Sequence, residues 1–483
     1  MFIKKNMKKT LLYYMVCLVG AVSLFACSDW FDVNPKTDVK SDDLFDTEAG
    51  FQSALAGIYI SMTDNQVYGG DLSFGLLDQL AQLYDMIPDQ VQDKSTIYQY
   101  EVETVGYMTN SRLASAWKKG YNLIANANNL MKWIDKNGER VIRDPQTRAM
   151  FKGEALAIRA YVHFDLLRGW GPMYGSEPDA LSIPYRIVAD NSKQPLLPAR
   201  QVVQKILEDL KSAKELLSYE SDLSLASFTG QERRFRFNYH AVNALMARVY
   251  CYAGDTENAV RSAREVVDHC NLELQISNQE DPVLFSEAIC ALNMYKMQER
   301  LSTRFSEGPK FVGHYFCKIS TLNALFGITG TETEDIRAKS SAFIRYSDQE
   351  RAISRKYIKN TEGVIPLIRL PEMYYILCEM SPLKEAASFL NMVRQKRGYS
   401  ESADVKFNND EERIRALDLE YRKEFYAEGQ YFFFLKRHAF TTFNNCPIEN
   451  FGKPQYVFPL PDAEKEYGWT PPSENEENGS DNQ

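Results

Sequence analysis

Histidine is scarce in this sequence. There are five, His163, His240, His269, His314 and His438, and no two stand at a zinc-ligand spacing. No HExxH, GxSxG, Walker lysine loop or GxGxxG run occurs. The eight cysteines include no CxxC pair. These gaps remove the recognisable routes to metal, nucleotide and nucleophile chemistry, so no catalytic residue, metal or cofactor is expected. Basic charge is also short. Lys and Arg number 56 against 65 Asp and Glu, a formal net charge of −9, which excludes the basic footprint of a general nucleic-acid binder. Beyond residue 26 no apolar run is long enough to cross a membrane. What is present is a 44% hydrophobic chain of 483 residues, enough for two to four ordinary domains or one helical-repeat body.

The first 26 residues read as a processing signal. Lys4, Lys5, Lys8 and Lys9 precede an apolar run, Leu11 to Ala26. The run ends Leu24-Phe25-Ala26-Cys27, which resembles a bacterial lipobox, so cleavage before Cys27 and lipid on its sulfur are expected. An ordinary signal peptide or an uncleaved anchor are the alternatives. With Cys27 lipidated, Cys251, Cys270, Cys290, Cys317, Cys378 and Cys446 remain, best read as buried free thiols.

The chain is organised around Asn238 to His269. Val242, Leu245, Val249 and Tyr252 recur at three- and four-residue intervals, one face of a helix. Gly254 ends it and Asp255 can cap the next, whose Ala259, Ala263 and Val267 form the facing stripe. Tyr250, Gly254 and Ala259 have roughly the spacing of a tetratricopeptide (TPR) unit, which needs stacked neighbours to bury its apolar face. An ordinary helical hairpin is the plainer reading of this stretch alone. Further helices are expected at Thr47 to Tyr59, Leu72 to Tyr84, Leu113 to Asp135, Gln146 to Gly169, Ala199 to Leu217, Pro371 to Glu379, Leu383 to Arg397 and Glu411 to Phe425. Gln146 to Gly169 is apolar almost all round and should be central. Its Glu154 and Arg159 are expected in structural salt links. Phe343 to Tyr346 alternates enough for a strand. Two long irregular regions, 85–110 and 271–354, interrupt the pairs, and the acidic tail 471–483 is expected to be disordered.

Several stretches together resemble the SusD/RagB family of nutrient-binding outer-membrane lipoproteins. They are Trp117 to Asp135 (WKKGYNLIANANNLMKWID), Gly153 to Gly175 (GEALAIRAYVHFDLLRGWGPMYG), Ile368 to Gly398, Glu420 to Arg437 (EYRKEFYAEGQYFFFLKR) and Val457 to Glu464 (VFPLPDAE). The order is that of the family, and the segments are spread over nearly the whole chain. In the last helix Tyr421, Tyr431 and Phe434 stand where the family often has Arg, Arg and Asp, which suggests a divergent subgroup with packing in place of buried charge. The resemblance implies a mainly α, SusD-like fold of TPR-like helix pairs with long loop insertions and little β, in one domain over 27–470. It implies a non-catalytic, lipid-anchored outer-membrane protein that captures a glycan and passes it to a SusC-like TonB-dependent transporter. Capture of peptides, or a TPR adaptor for envelope assembly, are the alternatives.

Aromatic rings with amide and hydroxyl neighbours suit sugar recognition. None of the five tryptophans (Trp30, Trp117, Trp133, Trp170, Trp469) falls in the two irregular regions. The candidate contacts there are Tyr98, Tyr100, Tyr107, Tyr295 and Tyr315, with the two regions expected to meet on one side of the body.

Overall fold

The computed structural model describes residues 41–85 and 107–468, apart from 191, 276–280, 306–314, 330–332, 359, 361 and 447. Helices dominate and follow one another in a packed row. Tyr107–Trp133 lies on Pro145–Trp170, which lies on Ala199–Leu216; Tyr239–Ala253 packs on that helix and on Thr256–His269. The row continues through Leu370–Met380 and Leu383–Lys396 to Asp410–Glu424. Glu48–Met62 leans on the first of these. The organising pair forms as its residues dictate. Asn238 caps Tyr239–Ala253 by accepting from Ala241 N at 2.9 Å, and Gly254 closes that helix in the left-handed region at φ 74°. Asp255 then accepts from Asn258 N at 3.2 Å to open the second helix. Val242, Leu245, Val249, Ala259 and Ala263 are fully buried between them and their neighbours.

Pro145–Trp170 is buried along nearly its whole length from Phe151 onward. Glu154 and Arg159, both buried in it, are held by partners on other elements. Glu154 accepts from Tyr59 Oη at 2.8 Å and Arg233 Nη1 at 2.6 Å. Arg159 grips Asp209 with Nε at 2.7 Å and Nη2 at 2.6 Å, and Asn128 with Nη1 at 2.8 Å. The chain end of this helix is closed by Lys436, whose Nζ donates to the carbonyls of Arg168, Gly169 and Gly171 at 2.8–3.0 Å. A cation there answers the negative end of the helix.

One expected helix is mostly absent. Of Leu72 to Tyr84 only Leu76–Leu80 is helical. The residues before it wind through tight turns, and a Cβ on Gly75 would sit 2.6 Å from Gly70 O, too close for a regular helical entry. The expected strand at Phe343–Tyr346 exists. It pairs antiparallel with Arg351–Ser354, which also pairs with Cys317–Lys318. A second sheet joins Ala288–Asn293 to Val364–Arg369 in antiparallel register. Both of these strands are buried almost throughout, so neither shows the alternation that marks a half-exposed strand.

The last helices carry both packing and buried charge. Tyr421 stacks on Phe434 at 4.3 Å, and Tyr431 donates to Asp418 at 2.8 Å, as an aromatic replacement of charge requires. Buried ions nevertheless persist beside them, which corrects the expectation that packing takes their place. Glu424 accepts from Arg397 (2.8 and 2.9 Å), Arg369 (2.7 Å) and Arg337 (3.0 Å). Glu287, Glu420, Glu428, Asp335 and Lys356 extend the network. It ties the second irregular region to the helix row. Cys251, Cys270, Cys290, Cys317, Cys378 and Cys446 are all free thiols.

Candidate ligand-binding cleft

The aromatic residues singled out by sequence separate into different settings. Cys27, Tyr98 and Tyr100 lie outside the described residues. Tyr107 opens the helix Tyr107–Trp133. Tyr315 is buried, its ring stacked on Tyr84 at 4.7 Å and edge-on to Phe305 at 5.6 Å, so it offers no free face. Burial also pushes its phenol up from the ordinary range. Tyr68 is likewise buried, against Tyr161 at 5.1 Å. Tyr295 alone of the described candidates is open, 77% exposed. The start of the first irregular region is joined to the second: Asp85 N donates to Phe316 O at 2.8 Å, and Lys318 N to Asp85 Oδ2 at 2.5 Å.

Apart from these residues lies an open cleft of about 300 Å³, lined by Gln231, Arg234, Asp281, Phe285, Ser286 and Glu362 among others. Three segments build it, and each is fixed locally. Ser227 caps the short helix Phe228–Arg233 by accepting from Gly230 N at 3.1 Å. Arg233, at its end, is locked to Glu154 and Glu220. Ala291 N donates to Arg234 O at 2.8 Å and Asn238 Nδ2 to Ile289 O at 3.0 Å, which lays this segment along the strand Ala288–Asn293. In the second segment Asp281 Oδ2 accepts from Ser286 N at 2.8 Å, closing a turn that presents Phe285. In the third, the Asn360 side chain bonds both N and O of Val364 at 2.8 and 2.6 Å, while Gly363 takes φ 64°. A Cβ on Gly363 would stand 2.4 Å from Met294 O, so the tight return beside Glu362 requires glycine there.

One wall of the cleft is Phe285, with a stack behind it. Phe235 lies on Phe285 at 4.8 Å with 23° between planes, and the Arg234 guanidinium sits 4.2 Å from the Phe285 centroid. Arg234 is 3% exposed and Nη1 donates to Phe285 O at 2.6 Å, while Nε finds no partner. Burial lowers its pKa, with the charge of Asp281 acting the other way. Ser286 Oγ is a second buried atom with no partner. Phe228, 78% exposed, lies one helical turn from Gln231. Asn293, two residues before Tyr295, donates through Nδ2 to Glu362 O, which ties the Tyr295 segment to Glu362. A smaller cavity of about 50 Å³ shares Asp281 and Pro282 and reaches inward to Lys356, Lys423 and Tyr426. Among the described residues no group of three His, Cys, Asp or Glu is placed to hold a metal. The cleft therefore offers hydrogen-bond donors and acceptors around an aromatic ring, an arrangement for holding a polar, ring-bearing solute. Reasoning from tyrosines in irregular regions passes over Gln231, Arg234 and Phe285. The signal for them is the run Arg233-Arg234-Phe235-Arg236-Phe237, where three arginines interleave with two phenylalanines.

Comparison with known proteins gives one answer throughout. Residues 29–251 match a SusD-like family model described as "Starch-binding associating with outer membrane", and residues 331–482 match that of the SusD family. A "SusD-like protein P2" of Formosa agariphila is 26% identical over 264 residues, 53% of this chain and 46% of that one. A "SusD-like protein" of Bacteroides ovatus is 27% identical over 184 residues, 36% of this chain and 30% of that one. This chain thus spans less than half the length of each of these curated relatives. Among solved structures, a SusD superfamily protein from Bacteroides thetaiotaomicron superposes with a TM-score of 0.69 at 19% identity, covering 87% of this chain and 98% of that one. A "SusD-like carbohydrate binding protein" from Bacteroides vulgatus gives 0.67 at 17%, covering 87% and 96%. The "Surface glycan-binding protein A" of Bacteroides uniformis gives 0.66 at 17%, covering 87% and 98%. These three likenesses show the fold.

Proposed function

The chain belongs to the SusD/RagB family, and from that premise we propose that it captures a glycan in the cleft beside Phe285 and delivers it to a SusC-like TonB-dependent transporter. The observation that carries this reading is the cleft wall itself. Phe285, backed by Phe235 outside the lining, stands among the amide of Gln231, the carboxylates of Asp281 and Glu362 and the guanidinium of Arg234. Sugars need directional partners for their hydroxyls beside some apolar surface, and these side chains supply both. Phe228 and Tyr295 are open rings on segments that adjoin the cleft in sequence or by hydrogen bond. Tyr98, Tyr100 and Tyr107 remain candidate contacts from the first irregular region. Tyr315 contributes by holding the second region against Tyr84. The work is binding without catalysis.

The outer membrane is the proposed location, with lipid on Cys27 as the tether. A Cys27→Ala chain expressed in a Gram-negative host of the native type should leave the membrane fraction; retention there would remove the anchor from the scheme. The binding site is tested by calorimetry on a panel of polysaccharides and peptide mixtures. Gln231 and Glu362 are exposed, so Gln231→Ala and Glu362→Ala should fold normally and weaken glycan binding several-fold. Unchanged affinity in both, or response to peptides alone, would count against the cleft as a glycan site.

A further inference from the structure

Arg234 stands apart from the other buried arginines. Among the described residues, each of the others has a carboxylate within ion-pair distance. Arg234 has none. Its recorded hydrogen bond goes to a neutral carbonyl, Phe285 O, and Nε is left without a partner. A guanidinium out of water is stable only when its charge and its N–H groups are answered. Among the described residues only the charge of Asp281 acts on this one, without an ion pair, and Arg234 lines an open cleft. Its position is also not adaptable, because Ala291 N holds its carbonyl and Arg233 is anchored on its N-terminal side.

We infer that the missing anion comes from the ligand: the cleft is built for an acidic glycan, whose carboxylate or sulfate oxygens Arg234 receives. This rests on the reading of the cleft as the glycan site. The planar fork of the guanidinium fits two oxygens of one anionic group, which a lone hydroxyl does not supply. Another charge sets the direction of binding. Glu362, exposed on the same lining, repels an anionic substituent and accepts from sugar hydroxyls, so the acidic group lies at the Arg234 end and the hydroxyls face Glu362. Phe285, already stacked under the guanidinium, holds it in that plane.

The test uses the full chain and matched polymers: polygalacturonate against its methyl ester, and a sulfated galactan against its desulfated form, each followed by calorimetry. One anionic polymer should bind at least about tenfold more tightly than its neutral counterpart, and which pair shows the gain names carboxylate or sulfate. Arg234→Gln should bring the two members of that pair to equal affinity, while Arg234→Lys should keep part of the difference. Should Arg234→Gln fail to fold, Gln231→Glu places a negative charge on an exposed position of the same wall and should weaken the anionic polymer more than the neutral one. Equal affinity of wild-type protein within both pairs overturns the inference and leaves glycan capture standing. A preference that survives both Arg234→Gln and Gln231→Glu also overturns it. No binding of any of the four polymers or of the wider polysaccharide panel overturns glycan capture itself.

Discussion

Replacing Arg397 by Met should be among the most damaging single changes in this protein. The side chain is 0% exposed. It gives Glu424 two hydrogen bonds at 2.8 and 2.9 Å, Glu287 two more at 2.7 and 2.9 Å, and Gln275 O one at 3.1 Å. Without it Glu424 keeps Arg369 and Arg337, but Glu287 keeps only Arg369 at 3.5 Å and the backbone N–H of Gln275. One carboxylate is then buried with its charge largely unanswered, at a cost of about 3–5 kcal/mol. For a body of this size each kcal/mol moves the melting midpoint by about 1 °C, so a fall of about 3–5 °C is expected. The decisive comparison is the double variant Arg397→Met/Glu287→Leu, followed by denaturant titration beside both single variants. Removing both charges should restore part of the loss, because apolar side chains of similar volume need no partner. A single variant losing less than about 1 kcal/mol, or a double variant losing the sum of the singles, would refute the account. Acid probes the same ions. Burial alone would raise the Glu424 carboxyl, but Arg397 and Arg369 outweigh it and hold the group well below its ordinary range. Its stabilisation is therefore complete above the unfolded carboxylate pKa, about 4.3, and is lost as pH falls below that value toward the folded pKa.

The other expectations concern the central helix. Arg159→Ala strips Asp209 of a bidentate partner and should cost about 3–5 kcal/mol in denaturant titrations, with glycan affinity unchanged. Burial pushes His163 down to about 3, and its two nitrogens are committed to Arg159 O and Arg186 N. Its NMR signals should stay flat from pH 5 to 8, and its stabilising share should fade only as pH drops from about 6.5 toward the folded value; a midpoint near 6.5 would contradict this. Lys436→Met leaves three helix-end carbonyls without their cation and should cost about 1–3 kcal/mol by thermal melt.

How much of this was legible depends on how local the cause is. The pair Tyr239–Ala253 and Thr256–His269 follows from an apolar stripe, a glycine and two caps within thirty or so residues, and the structure uses each of them. Leu72 to Tyr84 shows the limit, since its apolar residues serve turns rather than a helix. Ala288–Asn293 and Val364–Arg369 escape notice because burial on both faces erases the period of two. The buried ions escape for a different reason. Arg369, Arg397 and Glu424 each sit in an ordinary helical or strand pattern, and only folding shows that they converge.

The cleft combines both difficulties, and its construction shows why position in an irregular region was a poor guide to contact. Its three segments are about fifty and seventy-five residues apart in sequence, so no spacing rule links them. What brings them together is the buried sheet: Arg234 O is held by Ala291, the turn presenting Phe285 leads directly into Ala288–Asn293, and Asn360 fixes the start of Val364–Arg369. Tyr315, in the middle of the same irregular region, is drawn into packing because Tyr84 and Phe305 occupy its ring. A ring or cation is available to a ligand here when the neighbouring backbone is fixed by the sheet but its own side chain lacks a structural partner. Arg234 meets the first condition and, although bonded to Phe285 O, has no carboxylate within ion-pair distance among the described residues; that combination separates it from the buried arginines that hold the core together.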